Sequence, residues 1–267
     1  MRIGCQIGMW KGDESFEEKI AAIGRTGVSG VEVFVDHLEG FYDGADELKA
    51  VIEGAGLALS GAYFNSKDFL DVEAEERVVR EAAAACRFLR EVGGEFLLLN
   101  GGLWKGDAER AFLDEEFAHL ANVFNRIGAE AERIGVSVVM HPHQKCQIET
   151  PADVDRLAAA GLDWGRVGLC VHAAHQYLID ADPCEIYENH AAHVRYAHMG
   201  DSDADRKAAL LGEGALDQER LMRPLLEAGF DGWLIIECGK EGVTPEDYAA
   251  SAIAYMKRTW PDVKWNS

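Results

Sequence analysis

Histidine and glutamate gather at the ends of apolar runs in the second half of the chain. One run closes on His141-Pro142-His143 and the next on His172-Ala173-Ala174-His175. A third closes on His198-Met199-Gly200-Asp201 and a fourth on Glu237-Cys238-Gly239. Imidazole and carboxylate together suit manganese, iron, cobalt, nickel or zinc better than magnesium or calcium, which favour oxygen ligands. The expected cofactor is one divalent metal ion, manganese taken first, held by His141, His172, His198 and Glu237. A single histidine in such a place is ordinarily a hydrogen-bonded core or loop residue. Four such positions in consecutive runs form a pattern that this ordinary fate does not explain. His143 lies two residues after His141 and faces the same side if the strand persists. Only one of the two is needed as a ligand, so the other is available as a base, and the sequence leaves open which takes the metal. His175 is expected in the loop above the ion. His37, His119, His190 and His193 read as surface or packing residues.

The elements that must position these groups alternate from end to end. Strands are expected near Ile3–Trp10, Val31–Val35, Leu57–Phe64, Phe96–Asn100, Val136–Met140, Val167–Val171, Val194–Ala197 and Trp233–Ile236. Helices are expected near Phe16–Arg25, Ala45–Glu53, Val72–Val92, Glu109–Ile134, from Pro151 to near Gly161, from near Pro183, over Asp217–Ala228, and from Thr244 to Trp260. Thr244 is a fitting N-cap, with Pro245 at N1 and Asp247 at N3. Eight strand–helix units over 267 residues give about 33 residues each, the size of a βα repeat in a TIM barrel. The predicted fold is α/β, a single (β/α)8 barrel in one domain, residues 1–267. An open doubly wound sheet would carry a Gly-rich phosphate loop after a strand, and none follows one here. In the barrel, reactive residues collect where strands end and βα loops begin.

Composition narrows the function classes. Apolar residues make up 48% and charged residues 27%, the profile of a soluble globular protein. No apolar run approaches the roughly 20 residues of a membrane helix, and the N-terminus lacks the regions of a signal peptide. The six cysteines show no CxxC spacing, so a reducing cytoplasm is expected. The net charge of −21 repels polyanions, which excludes nucleic acid as partner. A small-molecule substrate remains, with no membrane, and homo-oligomerisation is left open.

Five segments carry a family resemblance. These are His141-Pro142-His143 with Glu149-Thr150 and Asp153–Leu157, Gly168-Leu169-Cys170-Val171-His172-Ala173-Ala174-His175, and Tyr196-Ala197-His198-Met199-Gly200-Asp201. Gly212-Glu213-Gly214-Ala215-Leu216-Asp217 and Gly232-Trp233-Leu234-Ile235-Ile236-Glu237 complete the set. With them the chain resembles the xylose isomerase-like TIM barrels, the sugar isomerases, epimerases and dehydratases, and most nearly their inosose dehydratase branch. That family places Glu, Asp, His and Glu around its metal. His198 and Glu237 match their positions, while His172 stands at the Asp, His141 at the fifth-strand Glu, and Gly200 at a lysine. Exchanging two carboxylates for imidazoles removes about two negative charges and leaves the ion a stronger Lewis acid. It also removes one of the two bases of the epimerases, so a single base, His143, is expected.

The resemblance implies enolisation of a keto-sugar or keto-cyclitol. Loss of a β-substituent would follow, with His175 or Glu237 near the leaving group, making the protein a lyase. An isomerase or epimerase using the same first step is the alternative, and a non-catalytic sugar-binding barrel or subunit a further one. Three histidines and a glutamate also fit a non-haem oxygenase. Trp10, Trp104 and Tyr63 come near other strand ends and are expected to wall the sugar.

Overall fold

The computed structural model describes residues 1–102 and 112–266. Eight parallel strands close on themselves: β1 (Arg2–Gln6), β2 (Gly30–Phe34), β3 (Ala58–Phe64), β4 (Phe96–Asn100), β5 (Ser137–His141), β6 (Val167–His172), β7 (Val194–Met199) and β8 (Trp233–Ile236). Each strand pairs with its neighbours in sequence, and β8 closes onto β1 through Arg2–Cys5 against Trp233–Ile236. This is the expected (β/α)8 barrel. A two-stranded ribbon, Asp201–Ser202 against Ala208–Ala209, stands outside it.

The strands are near-continuous apolar runs because both of their faces are covered. One parity faces the helices; the other faces the barrel axis. Leu98, Val139, Cys170, Tyr196, Trp233 and Ile235 form a buried interior cluster separate from the larger core under the helices. They plug the barrel, so polar residues of the same parity nearer the C-terminal ends stand on an apolar floor.

The helix starts follow local chemistry. Thr244 accepts from Asp247 N–H with Pro245 at N1, as expected, and Thr150 accepts from Asp153 N–H before Pro151. Other boundaries shift. The first strand ends at Gln6, whose side chain accepts from Gly8 N–H and starts a 3-10 turn over Ile7–Met9. The helix expected from Val72 begins at Glu75, and the one expected from Glu109 occupies Asp114–Ile134 among the described residues. Two short helices, Val35–Glu39 and Ala173–Leu178, follow β2 and β6 directly. At five or six residues they are too short for apolar periodicity to announce them. Among the described residues no helix is long and apolar enough to cross a membrane.

Candidate metal centre

Register fixes which side chains share the barrel mouth. Gln6 pairs with Glu32, Asn100 with His141, and His172 with His198, and in-register partners of a parallel ladder point the same way. His141 and His172 are the last residues of β5 and β6, and His198 is the penultimate residue of β7. Glu237 follows β8, its N–H donating to Met199 O at 3.2 Å. His141, His172 and His198 are buried. Glu237 Oε2 lies 2.9 Å from His172 Nδ1 and 2.6 Å from His198 Nδ1. The sequence-predicted set is thus brought together.

His143 and His175 join it. The strand ends before His143, whose N–H donates to Ile148 O in the loop. Its ring still approaches His141, with centroids 5.8 Å apart. His175 sits on the short helix Ala173–Leu178 rather than in a loop. Its ring centroid is 4.1 Å from that of His143, 4.3 Å from His172 and 5.4 Å from His141. The ligating atoms of His141, His172, His175 and Glu237 all lie within 4.8 Å of one another, as do those of His141, Cys170 and His198.

Outer partners set the tautomers. His141 Nδ1 is 3.2 Å from Cys170 O. A carbonyl only accepts, so Nδ1 carries the proton and Nε2 the lone pair. By the same rule His143 Nδ1 donates to Gln144 O at 2.8 Å, and its Nε2 carries the lone pair. His198 Nε2 is 2.8 Å from Glu32 Oε2, with both side chains fully buried, which turns Nδ1 towards Glu237. Sequence reading missed Glu32. Its signal was a charge inside the apolar run Val31–Val35, since a carboxylate is almost never fully buried unpaired.

Electrostatics separate the imidazoles into two groups. Burial, reinforced by neighbouring imidazoles, holds His141 and His175 well below the usual histidine range, so both are neutral. Burial also lowers His143. His172 and His198 go the other way. Against the lowering effect of burial, Glu237 and the Cys238 contact lift His172 to about 9. Cys170, Glu237 and Glu32 together lift His198 well above its ordinary value. Burial alone would raise Glu237, but His198 and His172 hold it well below the carboxylate range.

These features fit a divalent ion. His141 Nε2, His172 Nδ1, His198 Nδ1 and Glu237 Oε2 are buried and lack an aligned hydrogen bond, although two of the pairs are within 3 Å. Each such orphan costs about 1–3 kcal/mol if nothing satisfies it. Buried ring nitrogens gathered at one mouth, with the other nitrogen of His141 and His198 anchored outside, is how histidine ligands are held. The set is borderline-soft, matching manganese through zinc.

The neighbourhood explains two motif positions. A Cβ on Gly200 would come 2.2 Å from Cys238 Sγ and 3.0 Å from His172 Nε2, so no side chain fits there. Asp201 is no ligand candidate. Its carboxylate accepts from the backbone N–H groups of Ser202, Gly212, Gly214 and Leu216 at 2.9 to 3.2 Å, pinning the loop that follows β7. A Cβ on Gly214 would come 2.1 Å from Asp201 Oδ1, which is why that position must be glycine.

Among the proposed wall residues, Tyr63 sets its ring edge-on to His141 at 5.8 Å, and Trp10 is buried. Trp104 lies outside the described residues. His37 accepts from Phe34 N–H, His119 and His190 meet Glu75 and Asp155, and His193 stacks on Trp164. All four serve packing away from the centre.

A family model described as the xylose isomerase-like TIM barrel matches residues 20–259. An inosose dehydratase of Bacillus licheniformis is 27% identical over 82% of this chain and 81% of its own. Another, of Clostridium beijerinckii, is 25% identical over 95% of both chains. Among solved structures, an IOLI protein with a bound zinc atom superposes with a TM-score of 0.79 at 16% identity, covering 98% of this chain and 99% of that one. D-psicose 3-epimerase from Clostridium cellulolyticum superposes with 0.78 at 16% identity, covering 97% and 98%. The chain belongs to the xylose isomerase-like TIM barrel family.

Proposed function

We propose that this protein is a metal-dependent sugar lyase that removes the proton α to the ketone of a keto-cyclitol or keto-sugar and expels water, as the name inosose dehydratase implies for its relatives. The observation that carries the reading is a neutral imidazole, His143, with its Nε2 lone pair beside a convergent donor set. His141, His172, His198 and Glu237 would hold the ion, manganese or a neighbour up to zinc. When bound, that ion supplies Lewis acidity that polarises a ketone.

The chain's own groups do the rest. His143 Nε2 takes the α-proton while Nδ1 stays anchored on Gln144 O. The C–H electron pair becomes a C=C bond as the β C–O bond breaks. The departing oxygen recovers the proton from the His143 imidazolium, so the products are water and an unsaturated ketone. His175 is a poor donor for that last transfer, since burial and its imidazole neighbours keep it neutral. Elimination on one face needs only one base. Epimerisation needs two on opposite faces, and His143 and His175 lie side by side with ring centroids 4.1 Å apart. The cysteines form no disulfide among the described residues, which fits a reducing cytoplasm.

The test is proton NMR in D2O with inosose and a panel of ketohexoses, using protein loaded with manganese, cobalt or zinc. Wild type should show loss of an α-proton and growth of a vinylic signal. His143→Ala should keep its metal and slow both by about 10²–10⁴-fold. Full activity in that variant, or no α-exchange with any substrate in loaded wild type, would refute the proposal.

A further inference from the structure

The structure assigns His175 a role that neither the motif set nor the family ligand pattern gives it: we propose that it is a ligand of the metal ion, making the centre rich in imidazole and selective for zinc, cobalt or nickel over manganese. This rests on the reading above that a divalent ion binds at the barrel mouth.

Three observations carry it. His175 is only 9% exposed, and neither ring nitrogen has a hydrogen-bond partner among the described residues. Its neighbours differ, since His141, His143 and His198 each commit one nitrogen to an outer acceptor. His172 Nε2 likewise meets Cys238 Sγ at 3.7 Å. A buried imidazole needs a partner for its ring nitrogens, and a metal ion would satisfy one of them.

The second observation is position. His172 is the N-cap of the helix Ala173–Leu178 and His175 its third residue. That spacing folds the later ring back over the earlier one, and their centroids stand 4.3 Å apart. The third is reach. The ligating atoms of His141, His172, His175 and Glu237 lie within 4.8 Å of one another. Bonds of about 2.0–2.1 Å put ligand atoms roughly 3.3 Å apart in a tetrahedral site and about 4.1 Å apart when trans, so small rotations close the shell.

The consequence is a change of donor chemistry. With His175 the shell draws on His141, His172, His175 and His198 and one carboxylate. Imidazole-dominated shells favour the later first-row metals, whereas manganese prefers oxygen. His175 would then hold the ion, leaving proton transfer to His143 alone.

The test uses full-length metal-free protein titrated with cobalt, then challenged with zinc and with manganese. Affinities and the visible cobalt absorption are compared for wild type, His175→Ala, His175→Gln and His143→Ala. The expected result is a loss of cobalt and zinc affinity of at least about tenfold in both His175 variants. Their cobalt spectrum should change and their preference for zinc over manganese should narrow, while His143→Ala keeps the wild-type spectrum and affinity. Thermal unfolding of the metal-free variants separates a folding defect from lost ligation, and the glutamine variant serves if the alanine one does not fold. Wild-type affinity and spectrum in a folded His175 variant would overturn the assignment and leave the metal centre standing. No cobalt or zinc binding by wild type would overturn both.

Discussion

Glu32→Gln is the perturbation that isolates the outer half of the centre. Glu32 is fully buried on β2 and faces His198 Nε2 at 2.8 Å, a contact between side chains of no exposure. Glutamine keeps an oxygen that can accept from Nε2 and nearly the same volume. What it removes is the charge. A hydrogen bond to a charged group contributes about 1.5–3 kcal/mol and a neutral one about 0.5–1.5, so the change weakens the anchor by about 1–1.5 kcal/mol. It also lowers the electron density that reaches Nδ1, and loss of such a partner lowers metal affinity by about 10–100-fold. That range equals about 1.4–2.7 kcal/mol, and the anchor alone accounts for its lower end. The expected result is therefore a dissociation constant for zinc or cobalt about tenfold or more higher, measured by competition with a chromophoric chelator. Glu32→Ala should lose more, because it leaves a buried N–H unpaired. A dissociation constant within twofold of wild type in Glu32→Gln would show that the contact is packing and nothing more.

His198→Ala and Glu237→Ala should each lose metal and activity together by elemental analysis and turnover; retention of both would sink the ligand assignment. With His172 raised to about 9 and His198 raised well above its ordinary value, metal binding at pH 7 should expel about two protons, read by calorimetry in buffers of different ionisation enthalpy, and apparent affinity should climb with pH until His172 deprotonates unaided. The metal-free fold carries the opposite sign: the His172 contribution is complete below 6.5 and is lost as pH rises through about 9. Asp201→Ala should unfold at lower urea, by about 3 kcal/mol, since four backbone N–H groups, two of them buried, lose one charged acceptor, and an unchanged midpoint would remove the role given to Asp201.

Most of the barrel could be read from the chain because βα units repeat at even length and each strand is an apolar run ended by glycine or a polar residue. His141, His172, His198 and Glu237 could be read because the fold rule directs attention to strand ends. The misses have physical reasons. Glu32 lies mid-strand, where the rule does not look, and its purpose appears only when register sets β2 across the barrel from His198. His175 reads from sequence as a loop residue because a six-residue helix has no periodic signature, yet that helix is what turns its ring back onto His172. The tautomers depend on carbonyl oxygens of Cys170 and Gln144, which no side-chain pattern encodes.

Charge accounts for why the departures from the family pattern come together. A shell with three carboxylates nearly neutralises a divalent ion, whereas among the described residues here Glu237 is the one carboxylate that would face it directly. A fully buried carboxylate, Glu32, stands one imidazole away. Without metal, the two acids are balanced by protons on His172 and His198; with metal, a doubly charged ion replaces those two protons and the buried charge is unchanged. The exchange lets a centre this deep stay neutral in both states, avoiding the cost of an uncompensated buried charge. On the proposed function, a bound ion would also be less screened than by three carboxylates, and more of its field would reach the ketone. The base that would meet such an α-proton is an imidazole: His141 stands where the family has a fifth-strand carboxylate, and His143, lowered by burial and neutral, stands beside the site.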